Sequence, residues 1–190
     1  MADTADPEAT SALPARRRED GLLVFAQRAD ARIDIGGWSA QAQRFFSTRL
    51  GLAEDKPYAP GQAAPRTDGA RFVIAPDGEP PGIRSAHGRP READDLSLAE
   101  DADERVGPGG TGLALVARRC QTVWLVTREL DADPLALRLA AILASVLLGP
   151  ILDVRVPELF GVKTARAKLD ALLTRPGKEE SRQAAKTPRD

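Results

Sequence analysis

The sequence predicts a single small α/β or α+β domain, with a mixed sheet of about four or five strands packed by a buried apolar helix and one or two amphipathic helices. Three observations predict this class. Short apolar runs rich in β-branched residues indicate strands, one long apolar run indicates a buried helix, and flanking segments carry apolar residues at helical spacing.

The composition is that of an ordinary globular protein. Of 190 residues, 42% are hydrophobic, 29% are charged and only 4% are aromatic. A net charge of −1 gives no global field for nucleic acid or an anionic membrane, so both partners are disfavoured. The single cysteine excludes an internal disulfide and a cysteine-based metal site. It suits a reducing compartment, and we expect a cytoplasmic location.

Both ends of the chain are polar. Residues 1–20 contain no apolar signal-peptide core and are predicted to form a disordered arm. Residues 175–190 lack apolar periodicity and are predicted to be a disordered tail. The globular domain is therefore expected over residues 21–174.

The first predicted elements are two strands and a helix. The runs GLLVFAQ (21–27) and ARIDIGG (31–37) suggest a hairpin that turns near residues 28–30. A helix follows, with Ser39 as its N-cap and Gly51 at its end. Its apolar face would consist of Ala42, Phe45, Phe46 and Leu50.

Prolines and glycines dominate the middle of the chain. Residues 53–69 and 79–93 are predicted to be loops, both longer than compact domains usually contain. Between them, residues 70–78 form a predicted strand that ends in a Pro-Asp-Gly turn. A short acidic helix is predicted over residues 96–105.

The C-terminal half carries the strongest signals. TVWLVTREL (122–130) is the clearest strand, and a helix follows with Asp133 as N-cap and Pro134 at its first position. This helix is apolar on nearly every face and too short to span a bilayer. Either it lies between the sheet and the last helix, or one face meets a second subunit. The last helix would present an apolar face made of Val162, Ala165, Leu169, Leu172 and Leu173.

The glycine-rich run GPGGTGLALVARR has the composition of an anion-binding loop. Amides of Gly107, Gly109, Gly110 and Gly112 could converge on a phosphate. However, no Gly-Lys-Ser/Thr follows, and the G-x-x-G-x-G spacing reverses the dinucleotide fingerprint. A glycine turn before a core element is the favoured interpretation, and a phosphate loop is the second.

The residues after these glycines allow two structures. A hairpin is slightly favoured over a helix across residues 112–120, because two short apolar runs flank a four-residue link. The hairpin would place Arg118, Arg119 and Cys120 at an exposed tip.

A second candidate anion site is the run IRSAHGRPR (83–91). It brings Arg84, His87, Arg89 and Arg91 onto one predicted loop, and guanidinium groups bind carboxylate or phosphate bidentately. The alternative is a solvated basic loop. The predicted ligand-binding residues are Arg84, His87, Arg89, Gly107, Gly109, Gly110 and Gly112.

Catalytic signals are weak. Cys120 lies beside two arginines that would favour a thiolate, and His87 is the only histidine available as a base. A small packed cysteine is the favoured alternative. The acidic run over residues 92–104 lacks the spacing of a calcium loop, so we predict neither a metal site nor a cofactor.

Two function classes remain. The favoured one is a non-enzymatic interaction or accessory subunit of a protein complex, with the apolar helix as a candidate homodimer interface. The alternative is a small α/β enzyme or binding domain for a ligand with a phosphate or carboxylate, which would use residues 107–112 and 84–91. Whether the protein is an enzyme stays open at this stage.

Overall fold

A computed structural model of the chain describes residues 21–27, 33–53, 69–107 and 109–174. The described residues form seven strands and five helices. The strands are β1 (Gly21–Ala26), β2 (Thr48–Leu52), β3 (Ala70–Pro76), β4 (Gly82–Pro90), β5 (Thr122–Thr127), β6 (Ile151–Asp153) and β7 (Glu158–Phe160). The helices are α1 (Ile35–Phe46), α2 (Ala93–Glu104), α3 (Leu113–Arg119), α4 (Pro134–Leu147) and α5 (Val162–Leu173).

The strands form one antiparallel sheet in the order β2-β3-β4-β5-β1-β6-β7. The predicted α/β or α+β domain is confirmed, but the sheet is antiparallel rather than mixed and has seven strands rather than four or five. The two predicted terminal segments, residues 1–20 and 175–190, lie outside the described residues.

Helices cover the sheet unequally. Helices α1, α4 and α5 pack on one face and form the larger core cluster with β1 to β6 and Phe160 of β7. Helices α2 and α3 pack on the other face and form a smaller core cluster with β1, β5, β6 and β7. All six residues of β1 are buried because both faces of this strand are covered.

Helix α4 is the buried helix that the sequence predicts. Asp133 caps it by accepting from the Ala136 amide at 2.9 Å, and Pro134 occupies its first position. The chain itself buries ten of its 14 residues between the sheet, α1 and α5. Of the two predicted arrangements, the structure has the one in which the helix lies between the sheet and the last helix of the same chain. No described helix has both the length and the apolarity of a membrane span.

The predicted strand over residues 31–37 is wrong. Residues 28–32 lie outside the described residues, but α1 already begins at Ile35. The carboxylate of Asp34 accepts from the Gly37 amide at 3.0 Å, which satisfies a free donor of the first helical turn. This cap favours a helix, and the alternation of only two isoleucines was too weak a signal for a strand.

The predicted end of the first helix is also wrong. Ser47, in a left-handed conformation with φ 47°, ends α1, and Leu50 lies in β2 rather than on the helix. Ser39 is inside the helix, and its hydroxyl accepts from the Leu50 amide at 3.3 Å. Gly51 is a strand residue, and Phe45 is exposed.

The region predicted as a loop over residues 79–93 contains β4, the longest strand. The predicted strand β3 and its Pro-Asp-Gly turn are confirmed, and Gly78 makes the turn with φ +80°. The chain then returns as β4 and pairs with both β3 and β5. The second predicted loop, 53–69, lies largely outside the described residues.

Residues 112–120 form a helix rather than the favoured hairpin. Helix α3 spans Leu113–Arg119, and Cys120 is its buried C-cap rather than an exposed tip. The acidic helix α2 and the last helix α5 are confirmed, although Leu173 is exposed. Strands β6 and β7, of three residues each, are additional to the prediction.

Candidate functional site

Arg84 is a buried strand residue that joins β4 to the start of α4, and it does not lie on a loop. It points from β4 toward the start of α4, where its Nε and Nη2 donate to the two carboxylate oxygens of Asp133 at 2.7 and 3.1 Å. Its Nη1 lies 3.0 Å from the Glu129 carboxylate. The guanidinium that could bind an external anion already has two carboxylates of the chain.

Arg89 makes an equivalent bond on the other face of the sheet. Its two terminal nitrogens donate to the Asp95 carboxylate of α2 at 2.7 and 2.8 Å. The hydrogen bond and the charge of Asp95 raise the pKa of Arg89, although burial opposes them. Because residues on a strand alternate between faces, Arg84 and Arg89 point to opposite sides of the sheet and cannot share one small ligand.

His87 and Arg91 are also placed by the strand. The His87 imidazole lies against Gly69, so closely that a side chain at that glycine would collide with it. Arg91 Nη1 donates to the carbonyls of Ala117 and Arg118 at the end of α3, at 3.2 Å each. The four predicted basic residues are therefore distributed along an extended strand and its exit.

The glycine loop binds an anion of the chain, the Asp103 carboxylate, but the Gly110 amide donates to the Gly107 carbonyl rather than to this carboxylate. Gly107, Gly109, Gly110 and Gly112 all have positive φ, as the sequence interpretation required. The Asp103 carboxylate accepts from the Thr111 amide at 2.9 Å, from the Thr111 hydroxyl and from the Ala114 amide at 3.3 Å.

This arrangement fixes Asp103 as a carboxylate. Burial raises the pKa of Asp103, but the hydrogen bonds from Thr111, Ala114 and Gly112 outweigh it, so the pKa lies below its ordinary value. The surrounding depression also contains Glu100 and Glu104. A phosphate here would have to displace one carboxylate and approach two others.

Cys120 lies in the core rather than at a reactive surface. It is fully buried among the residues beneath α2 and α3, and its thiol donates to the Val116 carbonyl at 3.3 Å. Burial raises its pKa to about 11, and the charge of Arg91 opposes this only in part. Almost none of the thiol is ionised near pH 7, so the predicted effect of the neighbouring arginines is overcome by desolvation.

A second surface emerges from the sheet, which we call the open sheet face. It is the side of β2, β3 and β4 that points away from α1 and α4. None of the side chains on this side belongs to a core cluster among the described residues. Three of its side chains, Arg49, Arg71 and Ile83, are exposed. The others are half-buried: Val73, Ala75, Ser85, His87 and Arg89.

The register arranges this face in rows. Val73 pairs with Ile83 in the central row, and Ile83 is 38% exposed. Arg49 lies in the adjacent row on one side, and Arg71 in the adjacent row on the other. Two exposed cations therefore flank a small apolar centre.

The three strands of the open sheet face carry basic residues and no acid. The segments TRLGL, ARFVIAP and GIRSAHGRP include four arginines and neither aspartate nor glutamate. Arg89 is neutralised by Asp95 and Glu92. Arg49 and Arg71, in contrast, are exposed and form no ion pair with any residue that the structure describes.

Sequence reasoning missed this surface because it placed residues 79–93 in a loop. The usable signal was alternation: Arg84, Ala86 and Gly88 point to the α4 side, while Ile83, Ser85 and His87 point outward. The scarcity of acids across three segments was a further signal.

Comparison with known proteins gives no relative: no protein-family model, no curated protein and no solved structure matches the chain.

Proposed function

We propose that the protein is a non-enzymatic interaction module that docks an acidic segment of a partner protein on the open sheet face. The observation that carries the proposal is the pair of exposed arginines, Arg49 and Arg71, on either side of the apolar Val73–Ile83 row. An acidic segment with an apolar residue between its acids would complement both features.

The geometry favours this surface over the predicted helix interface. The chain itself covers α4, whereas on the outer side of β2 to β4 no described helix forms a core cluster, although α2 reaches Arg89 at the end of β4. Apolar side chains next to cations that pair with no acid in the described part of the chain are a more suitable contact surface than a helix that is already packed.

The alternative function, an anionic ligand held by residues 84–91 and 107–112, has less support. Carboxylates of Asp133, Asp95 and Asp103 occupy the guanidinium groups and amides that such a ligand would need. We therefore do not favour that pair of segments as a ligand site.

The proposal is tested by charge reversal. The probe is a short, fluorescently labelled peptide of glutamates with a central leucine, and fluorescence anisotropy measures its Kd. The double variant Arg49→Glu/Arg71→Glu should bind at least about tenfold more weakly, because two attractive contacts become repulsive. Binding to the unaltered protein should weaken as ionic strength rises.

The matched control is Arg105→Glu/Arg119→Glu. It makes the same change of net charge at two exposed arginines away from the open sheet face. Equal binding by the control and the test variant would overturn the proposal, because it would reduce the effect to net charge. Tighter binding of a single-stranded oligonucleotide than of the peptide would also overturn it in favour of nucleic acid.

A further inference from the structure

A cleft of about 500 Å³ lies where α5 approaches the start of α4 and the turn between β6 and β7. We call it the α5 cleft. It is separate from the open sheet face and from the residues that the sequence singled out as ligand-binding. Its volume falls within the range of small-molecule sites, roughly 300–1,000 Å³.

The wall of the α5 cleft is mainly apolar. Leu137 of α4, Phe160 of β7 and Leu172 of α5 line it. Val156, in the turn between β6 and β7, extends the wall to the mouth and is 62% exposed. A ligand with a short hydrocarbon body would remove these side chains from water.

Three basic side chains also line the cleft, and each forms an ion pair with a carboxylate of the chain. Arg128 lies 2.5 Å from Asp153, and Lys168 lies 2.7 Å from Glu158 with its Nζ 5.2 Å from the centre of the Phe160 ring. Arg155 pairs with Asp131. These pairs fix cationic groups beside an apolar surface.

The three pairs differ in how firmly they are held. Arg128 and Asp153 are largely buried, whereas the side chain of Asp131 is 99% exposed. An exposed ion pair contributes little to stability, so another carboxylate can replace Asp131 on Arg155 at small cost. Asp131 thus marks a position where a ligand carboxylate can bind.

The innermost acid does not oppose such a ligand. Asp133 accepts both bonds from Arg84 and the amides of Glu129 and Ala136, so its charge is already compensated. The remaining acid of the lining, Asp153, is paired with Arg128.

We propose that the α5 cleft binds an amphipathic monocarboxylate, whose apolar chain lies against Phe160 and Leu172 and whose carboxylate replaces Asp131 on Arg155. This site is independent of the open sheet face, and either can be correct without the other. It assigns a carboxylate ligand to residues outside the two segments that the sequence suggested.

The test compares three probes with the same chain: octanoate, octanol and octylamine, each titrated calorimetrically into the full-length protein. Octanoate should bind about twofold to fivefold more tightly than octanol, because its carboxylate can take the place of Asp131 on Arg155 and the hydroxyl of octanol carries no charge to do so. Affinity should rise about threefold to fourfold for each methylene from hexanoate to octanoate, as expected for burial in an apolar cleft.

Two variants locate the site. Arg155→Gln should reduce octanoate affinity to that of octanol and leave octanol unchanged, whereas Arg118→Gln, which removes an exposed ion pair to Glu100 elsewhere, should change neither. Ala171→Trp, which fills the cleft from its exposed α5 side, should abolish binding of both probes. Circular dichroism confirms that each variant is folded.

Four results would overturn the proposal. These are no binding of octanoate, equal affinity for octanoate and octanol, tighter binding of octylamine, or unchanged octanoate binding by folded Ala171→Trp.

Discussion

At the scale of single residues, aspartates occupy the positions that an external anion was predicted to fill. Asp133 binds Arg84, Asp95 binds Arg89, and Asp103 binds the amides of the glycine loop. The sequence indicates which groups bind anions. It does not indicate which anion binds them, because Asp133 is 49 residues from Arg84 in the sequence and contacts it only in the folded protein.

Asp103 should therefore be a stabilising residue. Asp103→Ala removes the acceptor of the Thr111 and Ala114 amides, and buried donors without a partner are costly. We expect a loss of about 1–3 kcal/mol in the free energy of unfolding. Urea denaturation measures the loss, and faster hydrogen exchange at the Thr111 amide should accompany it.

Asp101→Ala is the control for this prediction. Asp101 lies on the same helix, two residues earlier, and is exposed. Its substitution should change stability by less than about 0.5 kcal/mol. If the two variants were equally stable, the hydrogen bonds of Asp103 would have no net value.

At the scale of elements, the end of α4 is the tightest junction. Leu148 adopts a left-handed conformation with φ 58°, and Gly149 then passes against β1. A Cβ on Gly149 would lie 1.9 Å from the Phe25 carbonyl oxygen, which belongs to backbone in the middle of the sheet. The junction can close only because residue 149 has no side chain.

Gly149→Ala should destabilise the protein by about 2 kcal/mol or more, because β1 or the end of α4 must move. The melting temperature from circular dichroism provides the measurement. Gly51→Ala is the control: no atom lies within 4 Å of a Cβ at that strand position. Similar melting temperatures for the two variants would refute the close approach.

The elements also explain how far the sequence could predict the fold. β5 and α4 were predictable because their apolar residues are continuous and Asp133 with Pro134 marks a helix start. β4 was not, because its outward side chains join no core cluster of the described residues and its arginines and glycines resemble a loop. α3 has only seven residues, too few for periodicity, and Asp103 from outside the helix caps it.

The α5 cleft had no local signal at all. Its lining comes from α4 and the link before it, from β6, β7 and the turn between them, and from α5. Each three-residue strand is too short to detect in the sequence. These segments come together because the sheet order places β6 beside β1 and β7 beside β6.

At the scale of the whole molecule, the described helices cover the two ends of the sheet to different extents. From β5 to β7 in the order of the sheet, helices pack on both faces. From β2 to β4 the described helices form a core cluster on one face, and α2 reaches the other through the pair of Asp95 and Arg89. The proposed sites lie at different ends of the sheet: the α5 cleft lies at the end with β6 and β7, and the open sheet face lies at the end with β2, β3 and β4. The buried pair of Arg84 and Asp133 connects β4 to α4 between them.

The global stability should depend on pH through this pair. Burial raises the pKa of Asp133, but hydrogen bonds from Arg84, Glu129 and Ala136 outweigh it, so the folded pKa lies below the ordinary 3.8. Its stabilisation is therefore complete above that value and is lost as pH falls through the folded pKa. Asp133→Asn should cost about 2–4 kcal/mol at pH 7, because buried Arg84 loses a charged partner. In urea denaturation, this difference should stay constant from pH 8 to 6 and shrink below pH 4. A difference that persists unchanged at pH 2.5 would mean that the carboxylate charge contributes nothing.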